Sequence, residues 1–269
     1  MAQIIEPKKL STLEVLEWYD EMGVDETIGE EPQNRFLEVP QEEKPVVSEP
    51  SKPQIASPTI HNIISPDQNI LMAEELANKA KTIKELEETL LTFDGLALKN
   101  TAHSTVFADG SPKSNLMIIT DSPNPDEDRE GKPFVGEVGE LFNKMFQAIH
   151  KTRESDFYIA TLLPWRVLGN RKPNQTEIST CLPFLKRHIE LVSPDILILL
   201  GSTVAQALLS SNDGINKLRG KWQTITLGEQ TFNALPTFHP SYLIKQPNAK
   251  RKAWQDLLEI NKKLKTFVK

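Results

Sequence analysis

Cysteine is almost missing: Cys181 is the single one among 269 residues. One thiol cannot close a disulfide within the chain or build a multi-cysteine metal site. That usage suits a reducing compartment, and a cytoplasmic protein is expected. Long apolar runs are missing too. No stretch reaches the roughly 18 apolar residues of a membrane span, and the first residues hold no apolar leader core, so a soluble protein without a membrane partner is expected. Glycine is sparse, at 12 residues. No GxGxxG follows the first strand and no P-loop occurs, which weighs against a nucleotide-dependent small-molecule enzyme. No internal repeat is evident.

What is present is unevenly spread. Residues 1–94 carry 8 Lys and Arg against 20 Asp and Glu, a balance of −12, and residues 95–269 carry 23 against 17, a balance of +6. A basic module thus follows an acidic leader, and a basic face favours a polyanionic partner. Within the leader, Leu13, Val15, Leu16, Trp18 and Met22 fall near helical spacing over residues 11–23. That segment is a candidate docking helix for a repair or replication partner, the competing reading being a helix folded back on its own core. Residues 24–69 hold seven of the 19 prolines, with Glu, Gln and Ser between them, and cannot bury enough apolar surface to offset their ordering entropy. The expected division is a mostly disordered extension over 1–69 and one folded domain over 70–269.

From residue 70 the pattern alternates. A helix is expected over about 70–92, a strand at 115–120 (NLMIIT), a loop to Phe134, and a helix whose Val138, Leu141, Phe142, Met145, Phe146 and Ile149 share a face. A strand at 157–163 and a helix at about 176–192 follow, the latter kinked by Pro183, which removes a donor and crowds the preceding turn. A strand at 195–200 turns at Gly201 into a helix through Leu209. A hairpin around Gly228 and a last helix from about Asn248 to Phe267 complete the chain. This alternation predicts a three-layer α/β/α sandwich around a mostly parallel sheet, with functional loops beyond the carboxyl ends of the strands.

Three loops fall there. The first, TDSPNPDEDREGKPFVG, carries Asp121, Asp126, Glu127 and Asp128 before Phe134. The second, PWRVLGNRKPNQTE, places Arg166, Arg171 and Lys172 around a Gly-Asn turn suited to phosphates. The third, FHPSYLIKQPNAKRKAW, sets His239 at a strand end ahead of Tyr242, Leu243, Lys245 and the basic run Lys250, Arg251 and Lys252. In isolation each has a bland reading as an ordinary surface loop or a structural histidine.

Taken in order, GKPFVG, YIxxxxxxRxxGNR, DILILLG, KLRGKW and TFHPSYL resemble the uracil-DNA glycosylase superfamily, in particular its iron–sulfur branch, over about residues 90–265. The resemblance implies a base rotated out of DNA into a pocket at the carboxyl edge of the sheet. Phe134 would stack on the base, and His239 would donate to its O2, stabilising charge that develops as the glycosidic bond breaks. Glu127 or Asp121 would orient water. Thr120, Asp121 and Ser122 would contact the base through their backbone. Tyr242 and Leu243 are candidates for a wedge that props open the stack, the competing reading being packing against the last helix. Arg166, Arg171, Lys172, Lys245, Lys250 and Arg251 would hold DNA.

The sequence departs from the family pattern at three places. The four cluster-binding cysteines map onto Phe93, Leu96, Trp165 and Cys181, and a cubane cluster needs four ligands, so no iron–sulfur cofactor and no metal are expected. The glycine-rich GE(A/G)PG turn is here TDSPN. The base-reading asparagine maps onto Thr161, whose single hydroxyl cannot match an amide's paired donor and acceptor, so altered base selectivity or lost catalysis is expected. The second loop also lacks the histidine-bearing insertion with which another branch captures the sugar covalently. With no lysine in the pocket-forming segments, the expected activity is that of a monomeric, monofunctional glycosylase acting on uracil or another deaminated base. The alternative is a degenerate relative that binds DNA or a repair partner without cleaving.

Overall fold

A computed structural model describes residues 66–267. The expected helix at 11–23, and the linker as far as residue 65, lie outside the described residues. The helical stretch expected at 70–92 is two helices, α1 (Pro66–Lys79) and α2 (Ile83–Thr92), the second started by Thr82. Its hydroxyl accepts the Glu85 N–H at 3.1 Å, as a β-region N-cap does. A short α3 (Leu98–Thr101) leads to the sheet.

The sheet and its coverings run β1 (Ala108–Gly110), β2 (Leu116–Thr120), α4 (Pro125–Glu130), α5 (Gly136–Gln147), β3 (Tyr158–Thr161), α6 (Gln175–Val192), β4 (Ile196–Leu200), α7 (Ser202–Leu209), α8 (Ile215–Leu218), β5 (Gln223–Leu227), β6 (Gln230–Thr237), α9 (Pro240–Lys245) and α10 (Lys250–Leu264). Six strands lie in the order β1-β3-β2-β4-β6-β5. The four central strands pair in parallel, and β1 and β5 close the edges antiparallel. Edge strand β1, only three residues long, has no periodicity by which the sequence could announce it. Helix α6 runs unbroken through Pro183, with Thr180, Cys181, Phe184 and Leu185 buried on both sides of the proline.

Strand alternation sorts the core into two layers. Met117 and Ile119 of β2, with Leu197 and Leu199 of β4, face α1, α2, α6 and α7. Leu116 and Ile118, with Ile196, Ile198 and Leu200, face α5 and α10. The central strands are buried on both sides, as a parallel sheet between helices requires. The expected three-layer architecture is the one observed.

Phe93, Leu96, Trp165 and Cys181 fall together in the first layer, at exposures of 2%, 9%, 1% and 1%. Phe93 meets Phe184 edge-on at 5.1 Å, and the Trp165 indole N–H donates to the Thr105 hydroxyl at 3.0 Å. Three of these four positions present no metal donor, so the set does not fit a cluster, and the side chains form an apolar contact between α2 and α6 instead. Phe93→Ala should therefore cost about 3–5 kcal/mol of stability, read as a lowered midpoint in urea denaturation.

Candidate active site at the carboxyl edge of the sheet

Chain order reverses at the sheet centre: β3 lies on one side of β2, and β4 on the other. Ligands of open parallel sheets bind in the crevice beyond the strand ends at such a switch point. A cavity of 410 Å³ opens there, lined by Asp121–Pro125 after β2, Gly201–Thr203 after β4, and Phe238, His239 and Ser241 after β6. Its size lies within the roughly 300–1,000 Å³ of small-molecule sites. A second, more polar cavity of 560 Å³ shares Lys172, Pro173, Ser202 and Thr203 with it.

The first wall is built by a helix that the sequence reading took for loop. Asn124 caps α4, its side chain accepting from the N–H groups of Asp126 and Glu127 at 2.8 and 3.0 Å, while Glu127 accepts the Asn124 N–H at 2.8 Å. This reciprocal box is the N-x-x-E signature of a helix start, and Pro125 suits the first turn. Asn124 is extended at φ −81°, so its role is capping, not the left-handed turn a glycine would serve.

The other Glu127 oxygen accepts the Phe134 N–H at 2.6 Å. Phe134 is left-handed at φ 54°, a strained state for a bulky residue. Arg153 donates to the Phe134 carbonyl at 2.8 Å and to the Pro133 carbonyl at 3.0 Å, and is itself paired with Asp109 at 2.9 Å. A Cβ at Gly139 would stand 2.1 Å from the Phe134 carbonyl oxygen, so only glycine lets α5 pass that close. Held this way, Phe134 stacks on Phe142 with centroids 4.0 Å apart, and its ring lies 5.6 Å from that of His239.

His239 caps α9. Its Nδ1 accepts the Ser241 N–H at 3.2 Å and lies 2.7 Å from the Ser241 hydroxyl. Burial pushes the imidazole below its ordinary range, with the Asp121 charge opposing. A neutral ring that accepts at Nδ1 carries its proton at Nε2, and Nε2 lies 3.0 Å from the Thr120 hydroxyl. Asp121 lines the cavity, with one carboxylate oxygen accepting the Ser122 N–H at 2.9 Å. His239 and Asp121 thus set a proton donor and a carboxylate at one strand edge.

Other expected residues fall elsewhere. The Thr161 hydroxyl donates to the Val106 carbonyl at 2.7 Å, and Thr161 is not among the cavity-lining residues; neither is Phe134 nor Thr120. Leu243 was a wedge candidate, but it is 1% exposed and packed with Phe238 and Ala253, because α9 turns it inward onto α10. Tyr242 projects, at 41% exposure, and lines the cavity. Arg171 lines it as well, held by a bidentate pair with Glu177 at 2.6 and 2.9 Å. Lys172 and Lys245 line it too, so the cavity does contain lysine, contrary to the sequence reading. Lys250 and Arg251 are exposed at the start of α10, and Arg166 is half-buried.

Sequence reasoning missed the Asp109–Arg153 pair, whose members lie 44 residues apart with no motif around either. It also missed Arg219 of KLRGKW. That guanidinium donates to both Asp256 oxygens, while the Thr237 hydroxyl donates to Asp256 at 2.5 Å. The group ties α10 to the end of β6, two residues before His239.

The molecule is thus an α/β protein whose doubly covered, mostly parallel sheet brings a histidine and a carboxylate to a cavity beyond its strand ends. The sequence profile of the Uracil DNA glycosylase superfamily matches residues 107–258. This chain belongs to that superfamily. It is similar to the type-4 uracil-DNA glycosylase of Sulfurisphaera tokodaii, at 28% identity over 66% of this chain and 83% of that protein. Those of Saccharolobus solfataricus and Thermotoga maritima are 32% and 31% identical, over 60% and 62% of this chain and 76% and 84% of the respective relatives.

Burial pushes the Glu127 carboxyl up to about 7, against the pull of the Asn124 and Phe134 amides. A carboxyl whose folded value is raised contributes most while protonated in both states. That contribution is lost as pH climbs from its ordinary value of 4.5 through about 7. Glu127→Gln should lose about 1–3 kcal/mol by leaving one backbone donor without its acceptor. The gap to the parent protein should narrow as pH rises through that window, read from urea midpoints at several pH values.

Proposed function

We propose that this protein hydrolyses the N-glycosidic bond of uracil, or of another deaminated base, rotated out of DNA. The observation that carries this reading is His239 and Asp121 together at the cavity edge, with Nδ1 placed to accept the Ser241 N–H and Nε2 left as the donor, in a chain whose relatives bear the name type-4 uracil-DNA glycosylase.

The bond between the sugar carbon and the base nitrogen breaks with its electron pair leaving on the base. Negative charge spreads to the base oxygen, where the His239 N–H donates; a donor aimed at developing charge favours the transition state over the ground state. Positive charge on the sugar is balanced by Asp121. That carboxylate also orients water toward the sugar carbon and takes its proton, leaving a free base and an abasic site. Glu127 acts one step back, since both its oxygens hold backbone N–H groups. Phe134, buried on Phe142 and outside the cavity lining, supports His239 from behind. Exposed Lys172, Lys245, Lys250 and Arg251, with Arg166, hold phosphates, and Tyr242 takes the position of the wedge.

On this reading the protein works without an iron–sulfur cluster, because Phe93, Leu96 and Trp165 supply no ligand beside Cys181. The purified protein should show no visible absorbance band of such a cluster. A second reading, DNA binding without cleavage, is favoured by one observation: the His239 proton is already engaged by Thr120.

The deciding experiment offers single-stranded and duplex oligonucleotides carrying uracil, hypoxanthine or xanthine. Base release is expected, with His239→Ala and Asp121→Asn each slowing it by roughly 10²–10³-fold. No product from any substrate, with DNA binding intact, would replace this reading by the binding-only one.

A further inference from the structure

The Thr120 hydroxyl lies 3.0 Å from His239 Nε2. Because His239 Nδ1 accepts the Ser241 N–H, the proton is at Nε2, and the threonine oxygen is its acceptor. Thr120 is 4% exposed. Its backbone has no freedom to retreat: the Thr120 carbonyl accepts the Leu162 N–H at 2.8 Å, and the Asp121 carbonyl accepts the Leu163 N–H at 2.9 Å. The imidazole is held too, with Ser241 gripping Nδ1. With both partners held, rotation of the threonine side chain is the shortest route to separating the pair.

We infer that Thr120 sets the affinity of this site: its hydroxyl occupies the His239 proton in the free protein and must turn away before a base can be held. The inference rests on the glycosylase reading for what displaces it. A neutral carbonyl that takes over from a hydroxyl exchanges one ordinary hydrogen bond for another, with little net gain. An oxygen that is acquiring negative charge forms a bond about twice as strong. Releasing the hydroxyl costs the same for the unreacted base and for the transition state, so Thr120 raises KM and lowers kcat/KM by one factor. The residue sets KM more than kcat.

Three variants separate hydroxyl from bulk: Thr120→Val keeps the volume without the hydroxyl, Thr120→Ala removes both, and Thr120→Ser keeps the hydroxyl. The probes are the NMR resonance of the His239 Nε2 proton in the free protein and binding of a single-stranded oligonucleotide carrying one uracil, with thermal melts confirming that each variant folds. The resonance is expected to move in the Val and Ala variants and to stay in the Ser variant. Both hydroxyl-free variants should bind about fivefold tighter, through KM with kcat nearly unchanged. An unmoved resonance in the Val variant overturns the inference, as does tightening by Ala without Val, which would make volume the obstacle. Tighter binding by both without excision by any variant would remove the glycosylase reading and leave the hold of Thr120 on His239 standing.

Discussion

One buried carboxyl joins the two ends of the loop that forms the active-site wall. Glu127 takes the N–H of Asn124 with one oxygen and that of Phe134 with the other, spanning from the start of α4 to two residues before α5. A left-handed phenylalanine costs of order 1–3 kcal/mol and persists only where its surroundings over-determine it. Here they do: Glu127 holds the amide, Arg153 holds the carbonyl, and Gly139 yields the space beneath. The stack of Phe134 on Phe142 and its approach to His239 both follow from that conformation.

The layers and the parallel strands were legible because they are written in periodicity. Alternation in LMIIT and ILILL, and the helical face from Val138 to Ile149, need only local spacing to be read. The short elements were harder. Helix α4 is six residues long, too brief for any periodicity, yet its capping box was readable as Asn124 followed three residues later by Glu127. The same signature, Asn174 with Glu177, opens α6. Side-chain direction was the least legible. Thr161 lies at the expected strand end, but whether its hydroxyl met a ligand or the Val106 carbonyl depended on a segment 55 residues away. Leu243 follows a histidine–proline helix start, and only the turn of α9 decides that it faces inward.

The core beside the site shows how an apolar contact can stand where a family resemblance implies ligation. Phe93 with Leu96, Trp165 and Cys181 come from three segments and lie in one buried core layer. Convergence of the backbone is what a polydentate centre demands, and packing demands it equally. Phe93 on Phe184 and the Trp165–Thr105 hydrogen bond join those segments through surface burial and shape, interactions that need neither a bound ion nor a redox partner.

Cys181 gives that core a chemical signature. Its thiol is 1% exposed, and burial together with nearby Glu177 raises its ionisation far above that of a free cysteine. Thiolate is the reactive form, so alkylating reagents find nothing to attack in the closed molecule. Modification therefore proceeds only through openings that bring Cys181 to solvent. A chain with one thiol in its innermost layer thus carries a clock for its own breathing, silent when folded and read without any added label.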